Sequence, residues 1–277
     1  MTVAPGRYGV WAGGSDLSPE LAATIEGLGY GAIWIGGSPP ADLALPESLL
    51  AATDHLVVAT GIVNMWGSAA SEVARSYHRI AERYPDRFLL GVGIGHPEAT
   101  GRYRKPYATI IKYLDELDAG GVPVEGRALA ALGPKVLAVS RDRTAGAHPY
   151  LTTPRHTREA REILGEGPLL APEQKVVLDT DVDRARAIGR EKVSNPYLKL
   201  TNYRSNLLRT GFTEEDLDTA SDRLVDALAV HGGAAAVAGG LNAHLDAGAD
   251  HVCAQVLVRD RADYIPALTS LAEALRL

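Results

Sequence analysis

Apolar runs of strand length alternate with amphipathic stretches almost from end to end of the chain. Two of these runs are the most informative. Leu56 to Trp66 reads LVVATGIVNMW, and Arg87 to Glu98 reads RFLLGVGIGHPE. Each is rich in aliphatic residues and ends abruptly in small or polar ones. Between them Ser71 to Tyr84 carries apolar residues at helical spacing. Parallel strands buried on both faces have this pattern, and a crossover helix is their usual connection.

The same alternation predicts further elements on both sides. Strands are expected over Arg7–Ala12, Gly31–Ile35, Arg127–Leu132, Ala147–Leu151, Lys175–Asp179 and His251–Val258. Ser18-Pro19-Glu20 opens a helix, with serine as N-cap, proline at the first helical position and an acid in the first turn. Further helices are expected over Pro46–Asp54, Tyr107–Ala119, Gly133–Thr144, Thr153–Gly165, Asp181–Arg190, Leu241–Ala247 and Ala262–Leu277. A longer, mostly helical stretch runs from Asn195 to Gly240. The sum is an α/β chain, a (β/α)₈ TIM barrel with a mostly helical insertion before the last strand. It is expected to form one domain over residues 1–277, with the insertion near 190–240. A doubly wound open sheet is the alternative, but its first strand-to-helix turn would carry G-x-G-x-x-G, and here that turn reads AGGSDLSPE.

Bulk properties narrow the partners. The chain has 277 residues, 46% of them hydrophobic and 22% charged, with a net charge of −6. No Lys or Arg run suggests a nucleic-acid surface. No signal-like N-terminus or apolar stretch of about 18 residues occurs, so no membrane partner and a cytoplasmic location are expected. The single cysteine, Cys253, lies in an apolar run and reads as core.

Candidate chemistry is sparse. The eight histidines are scattered, with no H-x-x-x-H or H-E-x-x-H pair, so no metal site is expected. No G-x-S-x-G nucleophile and no Walker-type phosphate loop occurs. A chain with so little covalent machinery points to a bound cofactor and a small-molecule substrate. Ligands in barrels bind beyond the carboxyl ends of the strands, here Asn64–Trp66 and Gly95–Glu98. Gly133-Pro134 is the best anion site, because a helix start there leaves backbone N–H groups free; it also reads as a plain helix start. Gly93 and Gly95 either admit a ligand closely or relieve crowding at a strand end. His96 reads as an acid–base group or as a polar loop residue. Asn64 and Trp66 suit a ring edge and a pocket wall, or simply a loop. Trp11 and Trp34 read as core.

The pieces ATGIVNMW and RYPDRFLLGVGIGHPE, with LAALGPK, RTAGAHPYLTTPRHTREAREILG, VVLDTD and NAHLDAGADHVCAQVL in order, resemble the bacterial-luciferase-like superfamily. They are most similar to its actinobacterial branch of F420-dependent oxidoreductases. The resemblance implies a TIM barrel, usually a homodimer, holding the deazaflavin coenzyme F420, or FMN, at the strand ends. It implies hydride transfer between reduced deazaflavin and a small organic substrate. The alternatives are an FMN-dependent monooxygenase and a barrel that binds cofactor without catalysis. In relatives a non-proline cis peptide forms a bulge in the third strand behind the ring, and the matching bond is Gly61-Ile62. Asn64 lies just beyond it. The segment touching cofactor after the fourth strand, which can supply an acid, matches Ile94, Gly95 and His96. The phosphate-holding helix start matches Leu132, Gly133 and Pro134. Some relatives carry an acid–histidine pair after the second strand. Here Ile35-Gly36-Gly37-Ser38 offers no ionisable side chain, which leaves His96 as the candidate catalytic residue.

Overall fold

A computed structural model describes residues 3–96 and 105–277. The first half alternates as expected: β1 (Tyr8–Gly13), α1 (Pro19–Gly27), β2 (Ala32–Gly36), α2 (Ala44–Ala51), β3 (Val57–Thr60), β4 (Val63–Asn64), α3 (Ala70–Arg83), β5 (Phe88–Gly93) and α4 (Pro106–Ala119). There follow β6 (Arg127–Leu129), α5 (Pro134–Arg143), β7 (Gly146–Ala147), α6 (Pro154–Leu164), β8 (Leu169–Leu170) and β9 (Glu173–Val177). The last part holds α7 (Val182–Ser194), α8 (Thr201–Arg209), α9 (Glu214–Thr219), α10 (Asp222–Leu228), β10 (Ala229–His231), α11 (Ala234–Asp246), β11 (Val252–Val256) and α12 (Tyr264–Leu275).

Every strand pair is parallel, and the pairings close a barrel. Closure depends on Leu169–Val177, which changes neighbours along its length. Leu169 and Leu170 pair with Gly146 and Ala147, whereas Glu173 to Val176 pair with Cys253 to Val256. β11 then pairs with β1. Two expectations need correction. The sixth strand is only Gly146–Ala147, because Pro149 lacks the N–H a longer strand would donate. The Leu169–Leu170 strand and the β10 strand were not anticipated, since two or three residues carry no readable period. As the family resemblance implied, the third strand is interrupted at Gly61-Ile62, a cis peptide that separates β3 from β4. Ser18 caps α1 as expected, its Oγ accepting from the Leu21 N–H at 3.2 Å.

Two apolar compartments follow from the alternation of strand side chains. One lies between sheet and helices and includes Val10, Ile33, Ile35, Val58, Leu90 and Val92. The other fills the barrel interior with Trp11, Trp34, Val57, Ala59, Leu89, Ala128 and Cys253. Two tryptophans fit a narrow barrel only because their neighbours are small. A Cβ on Gly36 would fall 2.1 Å from Trp11 Cζ2, so the β2 end must lack a side chain there. Trp34 stacks on His148, with ring centroids 4.1 Å apart, and donates to His251 Nε2 at 3.0 Å. No described helix is long and apolar enough to cross a membrane.

Candidate active site at the carboxyl ends of the strands

The ends of β3 to β6 lie side by side, and they gather most of the residues singled out from sequence. Ideal Cβ positions show how close the backbones come. A Cβ on Gly93 would lie 2.9 Å from Ile62 Cγ1 and 3.0 Å from Ala130 Cβ; one on Gly95 would lie 2.7 Å from Asn64 Nδ2. Gly61, Ile62, Asn64, Gly93 and Gly95 thus form one floor, with Ala130 leading to Leu132, Gly133 and Pro134. Asn64 Oδ1 accepts from the Trp66 N–H at 2.9 Å, which ties the two post-strand residues together. Ile94 is half-buried against the outer core. The Leu132 carbonyl accepts from His156 Nε2 at 2.9 Å.

Gly133 is the N-cap of α5, with φ −86°, no side-chain cap and no acid in the first turn. Pro134 occupies the first helical position. The space beside Gly133 is open: an added Cβ would meet nothing within 4 Å. The Gly133 carbonyl accepts from the Val136 and Leu137 N–H groups, so the helix begins normally while its first turn faces outward uncapped.

His96 stands apart from this floor and faces α8. Its Nδ1 lies 3.1 Å from Asn202 Oδ1, and its ring packs 5.1 Å from that of Tyr203. An amide oxygen only accepts, so Nδ1 carries the proton of this hydrogen bond. Pro97 and Glu98 lie outside the described residues.

The structure also brings together a group that sequence reasoning missed. Glu173 and Lys175 both point into the barrel, 1% and 0% exposed. Lys175 Nζ lies 3.2 and 3.4 Å from the Glu173 carboxylate oxygens. It sits 4.0 Å from the centre of the Tyr150 ring and 5.0 Å from that of Tyr197. Glu173 Oε2 also accepts from the Leu151 N–H at 3.1 Å. Tyr150 donates to Gln255 Oε1 at 2.9 Å, and its hydroxyl lies 2.8 Å from that of Tyr197. Burial pushes the Lys175 ammonium below its ordinary range and the Glu173 carboxyl above its own, each opposed by the other's charge. The only sequence signal was a charged triplet, Glu173-Gln174-Lys175, at the head of an apolar strand.

Lys175, Tyr197 and Gln255 of this cluster line a cavity of about 680 Å³ at the ends of β1, β9 and β11. None of the residues singled out from sequence as cofactor ligands lines it. Trp11 separates the two regions. Its ring forms part of the cavity wall, and its Nε1 reaches within 3.1 Å of the position a Gly61 Cβ would take. Trp11 Nε1 and His148 Nε2 are both buried without a hydrogen-bond partner beside the cis peptide. No group of His, Cys, Asp and Glu among the described residues could hold a metal ion.

The family model described as luciferase-like monooxygenase matches residues 15–118. The fold is that of the luciferase-like barrels. An F420-dependent secondary alcohol dehydrogenase, solved with an F420–acetone adduct, superposes with a TM-score of 0.77 at 15% identity, covering 98% of this chain and 99% of that one. The FMN complex of the oxygenating component of 3,6-diketocamphane monooxygenase from Pseudomonas putida gives 0.72 at 13%, covering 99% and 98%. The F420-dependent tetrahydromethanopterin reductase of Methanopyrus kandleri gives 0.66 at 14%, covering 99% of both chains. No curated protein matches the chain by sequence. The barrel fold is therefore shared with enzymes of two cofactor types; the resemblance read from sequence is matched by the family model over residues 15–118 and by fold over nearly the whole chain.

Proposed function

We propose that this luciferase-like barrel is an F420-dependent oxidoreductase that moves a hydride between reduced deazaflavin and a small organic substrate. The observation that carries this reading is the grouping of the cis peptide Gly61-Ile62 with Gly93 and Gly95 at neighbouring strand ends, closely packed through Ile62 and Asn64, on the same side of the barrel as the uncapped start of α5. A flat ring would lie against these closely packed strand ends, and an anion fits the positive end of the uncapped helix. The residues present suit such a group. Gly61, Ile62, Asn64, Ile94 and Gly95 would seat the ring, and Leu132, Gly133 and Pro134 would hold a phosphate. The bound coenzyme supplies the hydride chemistry; the protein positions the reacting carbon, excludes water and manages the proton.

His96 is the proposed proton donor, with Nδ1 anchored on Asn202. His96→Ala should lower turnover by about 10²–10⁴-fold, the usual contribution of general acid–base catalysis. Coenzyme affinity should change little. The check is a steady-state assay with reduced F420 and a panel of small ketones and enones, run beside a binding titration. A variant that loses affinity but turns over normally once loaded makes His96 a cofactor contact and ends its role as donor. Absence of any F420-linked turnover on a broad panel, despite tight binding, supports a non-catalytic barrel instead.

A second prediction concerns Gly133. Its negative φ and open surroundings accommodate a side chain, and aspartate is a favourable N-cap residue. Gly133→Asp should therefore fold as well as the parent or better. It should also weaken F420 binding strongly, because a carboxylate would face the phosphate at close range. Unchanged affinity in the folded variant would put the phosphate elsewhere.

A further inference from the structure

The cavity at the ends of β1, β9 and β11 adjoins the proposed ring floor without including any of its residues. Its volume, about 680 Å³, lies in the usual range for small-molecule sites. Apart from Lys175, the buried residues of its lining are apolar, Trp11, Ala12, Val256 and Leu257, whereas the charged Asp16, Glu191, Lys192, Arg259 and Arg261 are exposed. We propose that this chamber binds a neutral organic carbonyl compound, whose oxygen accepts a hydrogen bond from the Gln255 side-chain amide above the Lys175–Glu173 pair. The proposal rests on the oxidoreductase reading only in calling that compound the substrate.

Strand register places the donors. Gln255 pairs directly with Lys175 across β11 and β9, and Val10 pairs with Ala254, which sets Trp11 beside Gln255. Trp11, Gln255 and Lys175 therefore occupy one lateral row of the inner face. Tyr150 holds Gln255 Oε1, so the end of the amide left for a ligand is its NH₂. That nitrogen has no partner among the described residues. The Tyr264 hydroxyl, on the same wall, is also buried without one. The chamber thus presents the Gln255 amide and the buried Tyr264 hydroxyl as donors. Its carboxylates, Asp16 and Glu191, are each already within ion-pairing reach of a base, Asp16 of Arg261 and Glu191 of Lys192.

Charge decides between kinds of acceptor. Lys175 lines the chamber and Glu173 does not, so the buried pair turns its positive end toward the ligand. Its net charge is nevertheless zero. The other bases of the lining, Lys192, Arg259 and Arg261, are exposed, so at the buried end beside Gln255 a carbonyl dipole is stabilised without further compensation, whereas a carboxylate placed there would have only the neutral pair beside it.

The test uses the cofactor-free protein, so its failure is distinct from a failure to bind F420. Cyclohexanone, methylenecyclohexane of the same shape and cyclohexanecarboxylate are titrated separately, following the bound fraction by saturation-transfer NMR. Gln255→Glu keeps the acceptor for Tyr150 and removes the amide donor. Cyclohexanone affinity should then fall roughly three- to tenfold, the range expected for one hydrogen bond, while methylenecyclohexane is unaffected. The wild-type protein should bind cyclohexanone more tightly than the carboxylate. If Gln255→Glu fails to fold, Gln255→Leu replaces it with the same expectation. Equal effects on ketone and hydrocarbon, or a preference for the carboxylate, would overturn the proposal.

Discussion

Lys175→Met should cost the protein about 3–5 kcal/mol of stability, the penalty for leaving a buried carboxylate without its partner. Glu173 is 1% exposed, and its remaining bond is the Leu151 N–H. Its neutralisation by proton uptake would relieve part of the cost at acidic pH. The double substitution Glu173→Gln with Lys175→Met should recover most of the loss, because an amide satisfies the Leu151 N–H without charge. Urea unfolding of the three proteins at neutral pH gives the comparison. A single variant as stable as wild type would mean that water reaches the Glu173 carboxylate, contrary to the packing described here.

Acid should unfold the protein well above the range where carboxylates titrate. Burial pushes His148 and His251 down to about 4 and His244 to about 3, from an ordinary 6.5. His251 shows why charging is resisted: its Nδ1 donates to the Gly6 carbonyl, and its Nε2 lone pair already accepts from Trp34. Protonation would break the Trp34 bond in the middle of the barrel. These folded-state values are depressed, so the unfolded chain takes up protons first. Stability is full above about 6.5 and falls as pH drops toward 4. The shifts of His148 and His251 amount to about 3 kcal/mol apiece. Unfolding free energies measured at intervals from pH 7.5 to 4.5 should decline by several kcal/mol. A flat profile would show that the three rings are hydrated.

Much of the frame was legible because parallel strands buried on both faces leave long aliphatic runs. The Ser18-Pro19 and Gly133-Pro134 helix starts were placed by their capping and proline signals, and the break at Gly61-Ile62 by the family resemblance alone. The barrel's closure could not be placed. Leu169–Leu170 and Ala229–His231 are too short to show a period, and only pairing partners reveal that Leu169–Val177 switches neighbours. The Glu173–Lys175 pair was hidden for a different reason. Charges at a strand edge normally mark where burial ends. Here they turn inward toward each other and two tyrosine rings, a compensation that only tertiary structure displays. Trp34 is core, as its context suggested. Trp11 is both core and cavity wall, because Gly36 gives its ring room to span from β1 toward Gly61.

The central claim is that a deazaflavin lies on the glycine floor with its phosphate at the start of α5. The most direct measurement is a titration of the cofactor-free protein, and of Gly133→Asp, with F420 and with FMN, following ligand fluorescence. The account predicts saturable F420 binding to the wild-type protein, weaker FMN binding, and a marked loss of F420 affinity in the stably folded variant. FMN preference would reassign the barrel to flavin chemistry. Failure of both ligands to bind, or identical F420 affinity in the two proteins, would contradict the account.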